Sequence, residues 1–315
     1  MREPALIRML PDGRRLHLHD GPMDLIIGAD GAPQAVSVAY EAAARRFVSV
    51  LDELCSELPL LRSQARENSL RPCGMLAQRM FATVEPYCEQ CFITPMAAVA
   101  GAVAETILDS MCHAAKLDRA SVNNGGDIAI HLADFHRYKI GMVERPDRPS
   151  LFGSLEISAE DPVRGIATSG WRGRSFSLGI ADAVTVLADS AATADAAATV
   201  IANAVNLPDH PGITRIPARE ISPDSDLGDL LVTRGVEPLS QLEIDAALEN
   251  GRSVATVLRE KGLIHSAALC LQKSVRVLSA LPQISTRVCR DRLLKPSTEE
   301  IHTQLELTGR TNPNA

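Results

Sequence analysis

The amino-acid sequence predicts an α+β fold in which mixed or antiparallel sheets are covered by packed helices. Short β-type runs separated by turn residues occur near the N-terminus and through the middle of the chain, and segments with apolar residues at helical spacing lie between them. Strands and helices do not alternate regularly, so the pattern favours an α+β fold over a doubly wound α/β sheet.

The composition is that of a globular protein, and it narrows the range of partners. Of the 315 residues, 45% are hydrophobic and 23% are charged, and the formal net charge is -7. Because Lys and Arg form no cluster and aromatic residues are few, we expect no nucleic-acid partner. The longest apolar run, residues 96–104, is well short of the about 20 residues of a membrane helix. Since the N-terminus also lacks a signal pattern, we expect no membrane partner and a cytoplasmic location.

The N-terminal third of the chain predicts a hairpin followed by three helices. The expected elements are β-type runs at residues 15–19 and 23–27 and helices at residues 33–59, 75–84 and 96–115. Asp20, Gly21 and Pro22 between the two runs favour a tight turn. Pro86 is expected to stop the second helix. The third is apolar on nearly all sides until Glu105, which is typical of a helix buried in the middle of a fold.

The remaining elements are strands and turns followed by helices. The middle of the chain is expected to form strands within residues 119–132, 137–143, 151–158, 165–170 and 182–188, and a helix over residues 191–205. Ser240 and Glu243 form a capping-box pattern that predicts the start of a helix ending at Asn250 and Gly251. A second short helix is expected to end at Gly262, followed by one strand over residues 267–278.

The predicted domain organisation is simple. Residues 1–280 are expected to form a single domain, with a C-terminal helical and strand extension over residues 220–280. Residues 281–315 are expected to form a tail with a frayed end, because the last residues are polar and have no apolar period.

The first group of residues that could carry chemistry lies in residues 122–132. Asn124, Gly125 and Gly126 can present backbone N–H groups in an open turn where no side chain blocks a phosphate, and Asp127 then offers a carboxylate to a ribose hydroxyl or a metal ion. An ordinary Asn-Gly hairpin between two strands explains the same residues. Both interpretations stay open at the level of sequence.

The second group lies on the helix predicted over residues 191–205. Asp195 and Thr199 are four residues apart and so share one helix face, where a carboxylate and a hydroxyl can both bind a hard cation such as Mg²⁺. Two ligands alone do not make a site. Alternatively, Thr193 or Asp195 caps the start of the helix or complements its positive charge.

The third group surrounds the single tryptophan. Arg172 and Arg174 lie in a glycine- and serine-containing stretch next to Trp171, and their guanidinium groups could hold a phosphate or carboxylate. Asp182 is a candidate for the same cleft. The alternative is an exposed hairpin whose arginines extend into solvent.

One cysteine pair has a spacing that is used in redox and zinc sites. Cys88 and Cys91 are separated by two residues, but a zinc site would need a second pair at matching spacing. The alternative is two small residues near the start of a helix.

Taken in chain order, four segments resemble the ApbE-like superfamily, whose best-known members are Mg²⁺-dependent FAD:protein FMN transferases. The segments are AGAVAE at residues 100–105, NNGGDI at 123–128, ATSG at 167–170 and ADAAAT at 194–199. More narrowly, the chain resembles a branch of that superfamily catalogued as an uncharacterised protein family.

The resemblance implies a site for a flavin (FAD or FMN) or a related nucleotide, together with Mg²⁺. Ligand-binding residues are expected at Asn124, Gly125, Gly126, Asp127, Ser169, Gly170, Arg172 and Arg174, and metal ligands at Asp195 and Thr199. If the protein is an enzyme, the resemblance implies a transferase-like or hydrolytic reaction. Oligomerisation is left open.

The chain departs from the family at positions that matter for FMN transfer. Leu178 and Gly179 stand where the family has His and Ile, while Ala102 and Glu105 replace a Tyr and an Asp. We therefore expect classical FMN transferase activity to be absent or weak. Relatives in the branch are associated with sulfur assimilation towards homocysteine. The alternative function is a non-flavin accessory or sulfur-relay protein, in which Cys88 and Cys91 would carry persulfide.

Overall fold

The computed structural model describes residues 4–143 and 151–279. Its strands are β1 (Leu6–Met9), β2 (Leu16–Asp20), β3 (Met23–Asp30), β4 (Arg119–Asn124), β5 (Asp127–Leu132), β6 (Arg137–Val143), β7 (Leu151–Ser158), β8 (Gly165–Ser169), β9 (Ala183–Ala188), β10 (Ile213–Pro217), β11 (Leu231–Val236), β12 (Ser266–Leu271) and β13 (Ser274–Ser279). Its α-helices are α1 (Pro33–Ser56), α2 (Leu58–Leu61), α3 (Met75–Val84), α4 (Val99–Ala114), α5 (Ala191–Ala204), α6 (Ala218–Ile221) and α7 (Gln241–Glu260).

Nine strands form one antiparallel sheet in the order β1-β2-β3-β4-β5-β8-β9-β12-β13. Helices α1, α4, α5 and α7 cover one face, since they carry the apolar residues that pack with the inward-facing side chains of the strands. On the opposite face, Ile157 from β7 packs with Ile130, Ile166 and Leu187 of the large sheet. The fold is therefore α+β with antiparallel sheets, as the sequence predicts.

The centre of the helix layer is made of small residues. Helix α5 is rich in alanine, and most of its alanines are fully buried. Small side chains let α5 approach α4 and the sheet closely, and a Cβ added at Gly101 of α4 would lie only 2.3 Å from the carbonyl oxygen of Ala191. The N-terminal ends of α4 and α5 are consequently in direct contact.

The hairpin β2–β3, the helix α3 and the buried helix α4 lie where the sequence predicts them. Strand β1 and the separate two-stranded ribbon β10–β11 are not among the predicted elements. The helix expected to reach Pro59 ends at Ser56, and Pro59 lies in the first turn of α2, where its missing N–H group is tolerated.

Two C-terminal predictions are wrong. The helix expected to end at Asn250 and Gly251 continues to Glu260, because Gly251 is buried at a close approach where an added Cβ would lie 2.3 Å from Cγ2 of Val205. The glycine allows packing rather than ending the helix. The single strand expected over residues 267–278 is the hairpin β12–β13, which turns at Gln272 and Lys273 with positive φ angles of 44° and 71°.

The predicted limits of the domain stay a prediction, and the tail at residues 281–315 lies outside the described residues. Within residues 4–143 and 151–279, the structure shows no helix with the length and apolar character needed to cross a bilayer.

Candidate functional site

The glycine turn at residues 125–126 connects β4 to β5. Gly125 and Gly126 have φ angles of 68° and 116°, and the backbone N–H of Gly126 donates to Oδ1 of Asn123 over 2.8 Å. No atom lies within 4 Å of a Cβ added at Gly126, so the turn is open on that side. The hairpin interpretation is confirmed, and ligand binding at the turn stays a prediction.

Asn124 ties this turn to the helix layer. Its Nδ2 donates to the carbonyl oxygen of Ala100, in the first turn of α4, over 3.2 Å. The side chain is buried, so its predicted contact with a ligand would be through its backbone. Asn124 therefore fixes the distance between the glycine turn and the N-terminus of α4.

Asp127 begins β5 directly after the glycine turn. Its Oδ1 accepts a hydrogen bond of 3.3 Å from the backbone N–H of Thr168 on the neighbouring β8. Burial raises the pKa of the Asp127 carboxyl to about 7, and that hydrogen bond opposes the shift only in part. A carboxyl group with this pKa is poised to lose its proton near neutral pH.

Asp195 lies on α5, near the same end of the sheet. Its Oδ2 accepts a hydrogen bond of 3.0 Å from the backbone N–H of Gly101, in the first turn of α4. Burial, and then the charge of Asp127, hold the pKa of the Asp195 carboxyl well above its ordinary value. The two carboxyl groups are therefore close enough to repel each other when both are ionised. We call them the carboxylate pair.

The fold explains how two distant segments meet at this pair. An added Cβ at Gly165, at the start of β8, would lie 2.0 Å from the carbonyl oxygen of Ser190, so α5 starts directly on β8. In the register of β5 and β8, Ile128 pairs with Ile166, which places Asp127 beside Ala167. Asp195 is just over one helical turn beyond the start of α5, and Thr199 follows one turn later on the same face.

Asp195 does not cap its own helix. The N-cap of α5 is Ser190, whose hydroxyl accepts the backbone N–H of Thr193 over 3.2 Å. Thr193 therefore donates its backbone N–H to the N-cap residue and is not itself the N-cap that the alternative interpretation predicts. The Asp195 carboxylate is instead directed to the first turn of α4.

Ser169 and Gly170 continue from β8 past the glycine turn. Ser169 is half-buried and pairs with Val184 of β9. Gly170 is buried, and an added Cβ would lie 2.5 Å from the carbonyl oxygen of Asp182. Gly170 thus permits a close approach of two backbones, whereas Ser169 offers a hydroxyl.

The two arginines predicted at the site have different surroundings. Arg172 donates from Nε to Oδ1 of Asp182 over 2.6 Å and stacks on Trp171, with 4.2 Å between its Cζ and the ring centroid. Arg174 is exposed, and its Nη1 lies 3.2 Å from the position of a Cβ on Gly125. The structure therefore brings Arg174, but not Arg172, over the glycine turn.

Asp182 is held by two hydrogen bonds. Its Oδ1 accepts from Arg172, and its Oδ2 accepts from the backbone N–H of Gln272 over 2.6 Å. Asp182 is buried, so it anchors the segment after β8 to the β12–β13 turn. The pairing places Asp182 beside Arg172, and a role of Asp182 in a ligand cleft stays a prediction.

The segment that differs from the flavin transferases is fixed against the end of α5. The backbone N–H of Leu178 donates to Oδ1 of Asn203 over 2.9 Å, and its carbonyl oxygen accepts from Nδ2 of Asn206 over 3.1 Å. At Gly179, an added Cβ would lie 2.0 Å from the carbonyl oxygen of Ala202. No side chain fits at position 179 with this backbone.

Glu105 is a residue that sequence reasoning did not assign to the site. Its Oε1 accepts the backbone N–H of Ala192, in the first turn of α5, over 2.9 Å. The sequence offers one indication, the position of Glu105 where the motif of the resembled family has an Asp, and this does not identify a partner for the side chain.

Cys88 and Cys91 lie after a short 3₁₀ turn at Glu85–Tyr87 rather than at a helix start. Both are half-buried against the core, and the Cys91 thiol donates to the carbonyl oxygen of Tyr87 over 3.7 Å. Burial, and then the nearby Cys88, raise the pKa of the Cys91 thiol. A raised pKa lowers the thiolate fraction on which a relay cysteine depends.

The carboxylate pair and Thr199 supply the oxygen donors that Mg²⁺ prefers. In the part of the chain that the structure describes, no three His, Cys, Asp or Glu side chains group together as a metal site. The residues present therefore fit an ion that keeps water and takes further ligands from a substrate phosphate, which is the usual manner of Mg²⁺.

A family model described as AbpE bacteria matches residues 7–277, and the chain belongs to this family. It is 33% identical over 181 residues to a UPF0280 protein of Methanopyrus kandleri, covering 57% of this chain and 69% of that protein. It is 39% identical over 138 residues to a UPF0280 protein of Methanothermobacter thermautotrophicus, covering 43% of this chain and 51% of that protein. The matched stretches span about half to two thirds of these relatives. The resemblance to an ApbE-like branch is confirmed.

Among solved structures, a single-site variant of flavin transferase ApbE from Vibrio cholerae is similar, at 12% identity and a TM-score of 0.44, over 88% of this chain and 97% of that one. The unsubstituted enzyme gives 14% identity and a TM-score of 0.38 over 88% and 98%.

Proposed function

We propose that the protein binds a flavin nucleotide, or a related nucleotide, together with Mg²⁺ in the cleft between the glycine turn and α5. The observation that carries this proposal is the carboxylate pair. Asp127 and Asp195 come from the two segments with the most specific family motifs, and each carboxyl has a raised pKa beside the other.

A divalent cation would relieve the repulsion within this pair. The hydrogen bonds to the two carboxylates come from backbone N–H groups, that of Thr168 to Asp127 and those of Gly101 and Ala100 to Asp195, and these groups carry no full positive charge. Bringing two carboxylates together in a half-buried position is unfavourable unless a proton or a cation compensates them. Asp195 and Thr199 would hold the ion, and Asp127 would bind it or a ligand hydroxyl.

The glycine turn and Arg174 would bind the anionic part of the ligand. Gly126 is open towards solvent, so a phosphate can approach the backbone there without meeting a side chain. The Arg174 guanidinium lies over Gly125 and is exposed, with one hydrogen bond of 3.3 Å from Nη2 to the carbonyl oxygen of Pro22. When bound, Mg²⁺ would neutralise phosphate charge during transfer or hydrolysis.

Isothermal titration of the purified protein with FAD, FMN, ADP and riboflavin, each with and without Mg²⁺, tests this function. We expect binding of the phosphorylated ligands to depend on Mg²⁺, and riboflavin, which lacks phosphate, to bind more weakly. Arg174→Met retains much of the side-chain length. It should weaken the binding of phosphorylated ligands by roughly 1.5–3 kcal/mol, the range of a hydrogen bond to a charged group.

Arg172→Met is the matched control, since Arg172 is bonded to Asp182 instead of lying over the turn. It should change ligand affinity less than Arg174→Met does. If none of the four ligands binds at millimolar concentration with Mg²⁺ present, the proposed function is wrong.

A further inference from the structure

Helices α4 and α5 each contribute a carboxylate that accepts a backbone N–H from the first turn of the other helix. Asp195 from α5 accepts the N–H of Gly101 in the first turn of α4, over 3.0 Å. Glu105 from α4 accepts the N–H of Ala192 in the first turn of α5, over 2.9 Å. Backbone N–H groups in a first helical turn have no partner within their own helix, so each carboxylate satisfies a donor of the other helix.

Because α4 and α5 pack closely, these two hydrogen bonds depend on the position of one helix relative to the other. An added Cβ at Gly101 would lie 2.3 Å from the carbonyl oxygen of Ala191 and 2.7 Å from the backbone nitrogen of Ala192. No side chain separates the two backbones. A shift of α5 along its axis would therefore move Asp195 relative to α4 and to Asp127. The bond from Ala192 to Glu105 opposes such a shift.

Arg79 on α3 orients Glu105. Its Nη1 lies 3.4 Å from Oε2 of Glu105, and its Nη2 lies 2.7 Å from Oδ2 of Asp109. One oxygen of Glu105 thus faces Arg79 while the other accepts from Ala192. Because Glu105 is mostly buried, with 16% of its side chain exposed, this arrangement leaves it little freedom.

We propose that Glu105, oriented by Arg79, is a positioning residue that sets the place of Asp195 relative to Asp127. This inference rests on the proposed function, because it concerns the affinity of the carboxylate pair for Mg²⁺. Glu105 holds the first turn of α5 by its Oε1, and Asp195 follows within the next turn. Its role needs an oxygen acceptor at the right distance and does not need contact with the ion.

The test is Mg²⁺ titration by calorimetry of the full chain and three variants. Glu105→Ala removes the acceptor and should weaken Mg²⁺ binding by about 10-fold or more, which is the usual effect of removing a group that orients a metal ligand. Glu105→Gln keeps a carbonyl oxygen at the same distance, and it should restore the affinity to within about 3-fold of wild type, well inside that loss. Glu249→Ala, at an exposed pair with Arg252, is the matched control and should bind as wild type does.

Melting temperatures without Mg²⁺ are measured alongside, since a purely structural role would lower them without changing the affinity of the folded protein. If Glu105→Ala does not fold, Glu105→Asp, which withdraws the carboxylate by one methylene, should show a similar loss of about 10-fold. Wild-type affinity in a folded Glu105→Ala or Glu105→Asp variant would overturn the inference alone. Absence of Mg²⁺ binding to wild type, both without and with ADP, would overturn the proposed function and this inference with it.

Discussion

Asp127 and Asp195 belong to separate sequence motifs, and the fold raises the pKa of both carboxyl groups. Each carboxyl is buried enough for its pKa to rise, and the charge of Asp127 adds to the shift at Asp195. Neither effect can be calculated from spacing in the sequence, because it depends on the contact of β5 with α5. The motifs predicted the residue types, and the three-dimensional arrangement determines their ionisation.

The first prediction concerns the metal ligand. Asp195→Ala should abolish stabilisation by Mg²⁺ and leave the fold intact. A ligand at about 100 times its Kd that binds only the folded state adds about 2.7 kcal/mol, which is large enough to see as a shift in melting temperature. Thermal melts with Mg²⁺ and with EDTA measure this difference, and Asp195→Asn controls for the lost hydrogen bond from Gly101. Equal Mg²⁺ shifts in wild type and variant would place the ion elsewhere.

The second prediction concerns pH. The pKa of Asp127 is raised to about 7 in the folded chain, so its contribution to stability is complete below the ordinary value of 3.8 and is lost as pH rises through about 7. The raised pKa of Asp195 acts in the same direction. The free energy of unfolding without metal should therefore fall between about pH 5 and about pH 8, and Asp127→Asn should reduce that fall.

Urea unfolding at the two pH values in EDTA checks this result. Added Mg²⁺ should also reduce the fall in wild type, because the ion favours the ionised pair. An unchanged pH dependence in Asp127→Asn would show that the proton is held at other groups.

The third prediction concerns FMN transfer, which should be absent or very weak towards a Thr-containing acceptor peptide. Leu178 cannot donate or accept a proton, and Gly179 has no room for a side chain against Ala202. Losing a positioned acid or base costs about 10²- to 10⁴-fold in rate. Mass spectrometry after incubation with FAD, Mg²⁺ and an acceptor domain detects the added FMN. Stoichiometric transfer would mean that another residue, with His131 or His136 as the first candidates, supplies the proton transfer.

At the scale of elements, packing outweighs local turn signals in α7. Asn250 and Gly251 are typical of a helix end, yet α7 continues because Gly251 faces Val205 and Leu269 at close range. Gly101 likewise permits close packing. Because it has no side chain, α4 and α5 approach closely enough for a carboxylate of each helix to accept an N–H of the other. A single sequence does not distinguish a glycine that ends a helix from one that permits close packing.

The fourth prediction follows from that contact. Gly251→Ala should destabilise the protein by about 1–3 kcal/mol, since an added Cβ would lie 2.3 Å from Cγ2 of Val205 and overpacking costs in this range. If Gly251 merely interrupted an exposed helix, alanine would instead stabilise it by about 1 kcal/mol. Chemical denaturation measures the sign, with Ser253→Ala on the exposed side of α7 as the control. Stabilisation by Gly251→Ala would contradict the packing role.

At the scale of the whole molecule, the sequence predicted the fold class and most elements but not their arrangement. Alternating apolar patterns locate β2 and β3, because each of these strands buries one face. The nine-strand order places β8 beside β5, and this pairing brings Asp127 to α5. Strand order depends on contacts between residues far apart in the chain, which local periodicity does not report.

In the candidate site too, some features could be predicted from the sequence and others depend on the fold. Asp127 and Asp195 were recognised from motifs, whereas the separate positions of Arg172 and Arg174 follow from the pairing of Arg172 with Asp182. Glu105 could not be recognised because its partner, the N–H of Ala192, belongs to the backbone of another helix. Side-chain chemistry can be read from the sequence, and contacts to distant backbone groups cannot.

The anomalous difference density of Mn²⁺, used in place of Mg²⁺, in crystals of the protein grown with ADP tests directly whether the carboxylate pair binds the metal. We expect a peak at the carboxylate pair, about 2.0–2.3 Å from an oxygen of Asp195 and near the hydroxyl of Thr199, the range for a small divalent cation on oxygen ligands. A phosphate of ADP should lie between this peak and the glycine turn. A peak only at another place, or ADP bound with no metal at Asp195, would show that the carboxylate pair is not the metal site.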